Sequence, residues 1–168
     1  MILTGKEIDL ERVAGHLTIE PFEPDNLKPN SYTYRLGPQL GVPSDTPDEN
    51  GRTGFTMVEI PPEGYVLQPG PMYLGHTLEV LGSDRFAMSL IGRNSLGRLG
   101  LFLQVSANLI HTGARHQITL ELVAALPIRL YAGMKIGEIS FWQTQGELKT
   151  YDSGGYTAHN APTPSKLG

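Results

Sequence analysis

The chain has 168 residues, enough for one domain with a sizeable core. A formal net charge of -4 and a pI near 5.7 argue against a protein that coats a nucleic-acid polymer, but a few local arginines still suffice to hold a small anion. There is no cysteine, which excludes disulfides, thiolate nucleophiles and Cys-ligated zinc.

The first residues, "MILTGKEIDLERVAG", are too polar for a secretory signal, and no apolar run reaches the ~18 residues of a membrane span, so a soluble cytoplasmic protein is expected. Thr4 to Glu7 is a capping-box pattern and predicts a short helix that ends by Gly15. "LTIEPF" reads as a short strand. "NSYTYRLG" alternates, with Tyr32, Tyr34 and Leu36 on one face and Ser31, Thr33 and Arg35 on the other. Residues 38–54 are rich in Pro, Gly and polar side chains and read as a mobile loop.

Strand-like runs follow, separated by turn chemistry: "FTMVEI", "YVLQPG", "MYLGHTLEVL", "RFAMSLIG", "LGLFLQVSANLI", "HQITLELVA", "IRLYAG" and "KIGEISFWQ". Their spacing of roughly 8–12 residues predicts an all-β sandwich, barrel or jelly roll. The stretch from Gly146 onward is rich in Gly, Pro and Ser and reads as a flexible tail. The expected organisation is a β domain over 1–150 and a tail over 151–168.

Three features bear on chemistry. In "HQITLELVA", Ile118, Leu120 and Leu122 share one face, and Thr119, Glu121 and Val123 share the other. Glu121 is thus a carboxylate set mid-strand among apolar residues. It is either a sheet-face residue, in water or ion-paired, or a general acid or base beside a pocket. In "IGRNSLGRLG", Arg93 and Arg98 bracket a Gly-punctuated polar turn. This is either a solvated turn or a phosphate cradle to which Ser95 and backbone N–H groups add donors. The tail sets Tyr151 and Tyr156 near Gly154, Gly155, His159 and Asn160, a terminus or a flap over a nucleobase. The five histidines show no metal-ligand spacing, and Trp142 closes an apolar strand as a core or interface residue.

Taken in order, "MILTGKEI", "NSYTYRLG", "GRNSLGRLGLFLQ", "GARHQITLEL", "IRLYAGMKIGEISF" and "APTPSKLG" resemble the dCTP deaminase family of the dUTPase-like superfamily. The resemblance implies a distorted jelly roll, a homotrimer with active sites between subunits, and a tail that closes over the nucleotide as a lid. It also implies a pyrimidine nucleotide as substrate and Mg²⁺ carried on the phosphates, with no metal held by protein side chains. The implied reaction is zinc-independent deamination of a cytosine nucleotide, either dCTP or a variant. Glu121 falls on the glutamate that activates water, Arg98 on the arginine that steadies the site, and Ala107 on a carbonyl that helps hold the water. Arg93 and Ser95 fall on the phosphate-holding motif, Gln104 follows in the strand that lines the site, and Tyr151 and Tyr156 fall on tail aromatics.

The chain also departs from the family pattern. Asn94 stands where a serine hydroxyl positions the water, and His111 where an aspartate lies by the sugar. Thr33 stands in place of another aspartate, Asn108 in place of a histidine, Gly155 in place of a tail lysine, and His159 in place of a tail glutamine. The alternatives to a deaminase are a nucleotide pyrophosphatase or phosphohydrolase and an inactive nucleotide-binding homologue.

Overall fold

The computed structural model describes residues 1–47, 51–104, 107–149 and 160–165. Helix α1 spans Gly5–Val13 and starts as its cap predicts: the Thr4 side-chain oxygen accepts the Glu7 N–H at 3.3 Å. Then come β1 (Leu17–Glu20), a 3₁₀ turn (Pro24–Asn26), β2 (Tyr32–Arg35), β3 (Gln39–Pro47), β4 (Thr53–Glu59), β5 (Tyr65–Leu67), β6 (Met72–Ser83) and β7 (Phe86–Gly92). A one-turn helix α2 (Asn94–Gly97) precedes β8 (Leu101–Leu103), β9 (Leu109–Ile110), β10 (Arg115–Ala124), β11 (Ile128–Leu130) and β12 (Lys135–Gln143).

The strands form an all-β architecture of two main sheets. The larger runs β4-β3-β6-β10-β8, with β1 also on β6; the smaller runs β2-β12-β7-β9; β11 and β5 make a short pair. Strand β6 is the spine. One of its edges carries β10, and the other is shared by β3 at one end (Gly41 opposite Leu74) and β1 at the other (Leu17 opposite Ser83). Leu120 and Leu122 of β10 pack with Leu81, Tyr32, Tyr34, Ile139 and Phe141 in one core. Each such side chain taken from water contributes roughly 1.5–3 kcal/mol.

Strand β2 locks the two sheets together through both of its faces. The buried Tyr34 hydroxyl donates to the Ile91 carbonyl at 3.1 Å. Burial first, then the nearby Glu79 and Glu138 carboxylates, push its phenol well above the ordinary tyrosine range. A Cβ at Gly137 would fall 2.0 Å from the Tyr34 hydroxyl, so β12 needs glycine there. On the opposite face, Ser31 donates to Glu138 at 2.7 Å, and the fully buried Glu79 of β6 accepts the Arg35 backbone N–H at 2.9 Å and its Nε–H at 2.8 Å. Burial opposes the Arg35 charge, but the bond and charge of Glu79 outweigh it and raise the guanidinium pKa. Thr33 is also fully buried, and its hydroxyl has no hydrogen-bond partner among the described residues.

Four expectations are corrected. Most of the stretch expected as a loop over 38–54 is strand: β3 occupies Gln39–Pro47 and pairs with β4 from Gln39 opposite Glu59 to Pro43 opposite Phe55. Its prolines are tolerated because β3 meets β6 at Gly41, so Pro43 lies where no second ladder needs its N–H. "LGLFLQVSANLI" is not one strand but two, β8 and β9, which belong to different sheets. The polar turn at residues 93–98 contains the helical turn α2. Of the two readings of Trp142, core and interface, the core one does not hold: it is 45% exposed, with its indole N–H donated to the Ser140 hydroxyl at 2.8 Å.

His76 on β6 is buried under Gly37, where an added Cβ would fall 2.1 Å from the imidazole. Its Nδ1 lies 3.0 Å from the Thr77 carbonyl, so Nδ1 carries the proton. Desolvation lowers its pKa below the ordinary 6.5, against weaker opposing pulls from the Thr77 carbonyl, Gln117 and Glu59. The neutral ring therefore contributes stability in full above the unfolded value, and that contribution is lost as pH falls below it. Melting temperatures measured from roughly pH 7.5 to pH 5 should fall more steeply for the wild type than for His76→Gln. Parallel curves would show that His76 does not carry this dependence.

Candidate active site

Glu121 lies where the strand pattern puts it. Ile118, Leu120 and Leu122 are buried, while Thr119, Glu121 and Val123 occupy the half-buried outer face. Its cross-strand partner on β6 is Leu74, and the next pair on the same face is Val123 with Met72. Met72 lines a groove of about 670 Å³ with Phe55, Arg52 and Pro164. The segment 160–165 docks on the same strand: Pro162 is buried, and the Thr163 N–H donates to the Thr119 hydroxyl at 3.2 Å. Part of the expected tail is thus seated beside Glu121, an anchoring that its Pro-rich composition did not announce.

On the other side of β10, strand β8 ends at Leu103, which faces Leu122. The next residue, Gln104, has φ +50°, the left-handed region that side chains rarely occupy, and it turns the chain out of the sheet. Its N–H still donates to the Glu121 carbonyl at 3.2 Å. Its side-chain oxygen accepts the Glu121 N–H at 2.7 Å, and its side-chain nitrogen donates to the Ala107 carbonyl at 3.0 Å. One residue thus brings together three of the predicted positions: Glu121, Gln104 and Ala107.

The arginine motif forms a second group. Arg93 is half-buried and precedes α2; its N–H donates to the Ile136 carbonyl at 3.2 Å and its Nη1 to the Lys135 carbonyl at 3.4 Å. The Arg98 N–H closes α2 on the Asn94 carbonyl at 3.1 Å, and buried Leu96 pins the turn to the domain. Asn94, Ser95 and Arg98 are exposed, and Arg93 and Asn94 line a groove of about 210 Å³ with Phe102. His111, also exposed, follows β9 and lines a different groove of about 380 Å³ with Thr112, Glu147 and Lys149. The grooves at Arg93 and His111 do not include Glu121 among their lining residues. Strand β8 joins the first two groups, since it follows α2 and pairs with β10. Tyr151, Tyr156, Gly155 and His159 lie outside the described residues.

The arrangement offers two kinds of chemistry. Around Arg93, Ser95 and Arg98 stand donors for anionic oxygens, the set that suits phosphate. The Glu121 carboxylate and the Ala107 carbonyl, on segments tied through the Gln104 side chain, are acceptors of the kind that suit a polarised water. Among the described residues, no three His, Cys, Asp or Glu side chains gather around a cation-sized site. No helix among the described residues is long and apolar enough to cross a membrane.

A family profile described as dCTP deaminase-like matches residues 2–144. A dUMP-forming dCTP deaminase of Leptospira biflexa is 40% identical over 99% of this chain and 96% of its own length. One from Hathewaya histolytica is 38% identical over 99% and 97%. A dCTP deaminase of Rhodopirellula baltica is 38% identical over 99% of this chain and 84% of its own. The crystal structure of 2'-deoxycytidine 5'-triphosphate deaminase from Agrobacterium tumefaciens superposes with a TM-score of 0.66 over 83% of this chain and 47% of that one, at 23% identity, and so shares the fold. The chain belongs to the dCTP deaminase-like family.

Proposed function

We propose that this protein is a hydrolytic deaminase that acts on dCTP, with Glu121 as the proton-transferring base. The observation that carries the reading is the half-buried Glu121 carboxylate, tied through its backbone to Gln104 and so to the Ala107 carbonyl, in a chain 40% identical end to end to a dCTP deaminase. A water between the Glu121 carboxylate and the Ala107 carbonyl gives a proton to Glu121, which passes it to N3 of cytosine as the water oxygen adds to C4. Glu121 then takes the proton of the new C4 hydroxyl and delivers it to the exocyclic amine. The C4–N bond breaks, ammonia leaves, and C4 keeps the oxygen as a carbonyl. No redox partner and no zinc enter that balance.

Arg98 meets charge that builds on the base in the transition state. Arg93 and Ser95 hold the triphosphate, whose Mg²⁺ neutralises its charge. Asn94 offers the water both a donor and an acceptor in place of a hydroxyl. The nucleotide site lies between subunits of a homotrimer, with Glu121 of one subunit facing the arginine motif of the next. Supporting this are the separate grooves on a single chain and the exposed apolar side chains beside α2, Leu99 at 59% and Phe102 at 48%.

A second step, release of pyrophosphate to leave dUMP, is favoured by the products named for the Leptospira and Hathewaya relatives. One experiment tests both. The protein is incubated with dCTP, CTP or dUTP and Mg²⁺, and nucleotides, ammonia and pyrophosphate are resolved. Ammonia with dUTP means deamination alone, and ammonia with dUMP and pyrophosphate means both steps. Failure to release ammonia from dCTP overturns the reading.

A further inference from the structure

We propose that Gln104 is a positioning residue: its amide is a two-ended tie that sets the Ala107 carbonyl against Glu121, and it does not bind nucleotide. The inference rests on the deaminase reading of the site. In an antiparallel ladder a residue opposite Glu121 would accept the Glu121 N–H with its own backbone carbonyl. Gln104 cannot, because φ +50° swings its backbone out of the sheet immediately after its N–H has bonded the Glu121 carbonyl at 3.2 Å. The side-chain oxygen takes over as acceptor for that N–H at 2.7 Å.

The other end of the same amide donates to the Ala107 carbonyl at 3.0 Å. The orientation is forced. A flipped amide would set nitrogen against the Glu121 N–H and oxygen against the Ala107 carbonyl, losing both bonds. With both ends committed to backbone, the side chain has little left to offer a nucleotide. The Ala107 carbonyl keeps a second lone pair for water. The strained backbone at Gln104 is held by what its side chain bonds, and the separation between the carboxylate strand and the water-holding carbonyl is set by a single rigid amide.

Two variants and two readouts test this. Gln104→Met keeps the length and removes both bonds. Gln104→Glu keeps the acceptor for the Glu121 N–H and loses the donor to Ala107. Each is measured for kcat and KM on dCTP and for hydrogen exchange at the Glu121 amide, after a melting curve confirms folding. In Gln104→Met, kcat should fall roughly tenfold to a hundredfold with KM within about twofold, and the Glu121 amide should exchange faster. In Gln104→Glu, the Glu121 amide should stay protected while kcat still falls.

The Gln104→Glu rate, taken relative to wild type, should recover as pH drops toward the carboxyl range near 4.3, where the protonated acid can donate to Ala107. A rise in KM with kcat unchanged would make Gln104 a nucleotide ligand and overturn the proposal. So would unchanged kcat in both variants, or a Glu121 amide equally protected in Gln104→Met. If wild type releases no ammonia, the deaminase reading fails by itself, and the amide exchange still decides the tie.

Discussion

Glu121→Gln is expected to lower ammonia release from dCTP by roughly 10²–10⁴-fold, the usual share of a positioned general base, with the fold and nucleotide affinity retained. The substitution is close to isosteric and leaves the backbone untouched. The bond from the Glu121 N–H to the Gln104 side chain and the ladder to Leu74 both belong to the main chain, so they survive. What is removed is an oxygen able to accept a proton from water and return it to the amine. A bound nucleotide should still raise the melting temperature of the variant, since phosphate recognition is assigned to Arg93 and Ser95. Turnover within a fewfold of wild type would remove Glu121 from the chemistry and leave the phosphate-directed readings standing. The stereochemical demand is modest, because β10 holds the carboxylate on a strand whose inner face is fixed by Leu120 and Leu122.

The second large effect concerns stability. Glu79→Ala is expected to destabilise the protein by about 3–5 kcal/mol, the cost of breaking a buried ion pair by removing one partner. Glu79 has no exposed surface and accepts two bonds from Arg35, one from its backbone and one from its guanidinium. Truncation leaves a largely buried cation with only the more distant and exposed Glu23 carboxylate at 3.7 Å, and an N–H of β2 without its acceptor, at the seam where β2 meets β6. For a chain of this size that loss lowers the melting temperature by on the order of 10 °C. Glu23 supplies the control: it approaches Arg35 at 3.7 Å but is 53% exposed, so Glu23→Ala should shift melting by only a degree or two. Equal shifts for the two alanine variants would contradict the burial argument.

The contrast between Glu79 and Glu121 shows how far the sequence could be read. Both are lone carboxylates in the middle of apolar strands, and the alternation is the same. Periodicity alone assigned neither. The strand pattern marks Glu121 and the family resemblance gives it its role, while Glu79 draws no notice because its partner Arg35 lies 44 residues away on another strand. Helix α1 and most strands were legible, since capping and period-two alternation are local properties. Strand β3 was not, because Pro43 and Pro47 carry a turn signal that tertiary pairing overrides.

The break after Leu103 was hidden for a related reason. A left-handed residue usually announces itself as glycine, and here it is Gln104, held by its own side chain. Within the site, the sequence named Glu121, Gln104 and Ala107 but gave no reason for them to touch. The docking of Thr163 on Thr119, a contact between residues 44 apart, left no local trace at all.

Trp142 is the only tryptophan of the chain, and it stands half in solvent on β12. Its backbone faces Ala87 of β7 and bridges to Ile2 near the N-terminus. Emission excited beyond the tyrosine absorption band therefore originates at one spot, the rim where the four-stranded sheet captures the start of the chain. A fluorescence-monitored unfolding curve follows the release of that rim, while circular dichroism follows all the strands together. Coincidence of the two signals would make the whole β structure one cooperative unit.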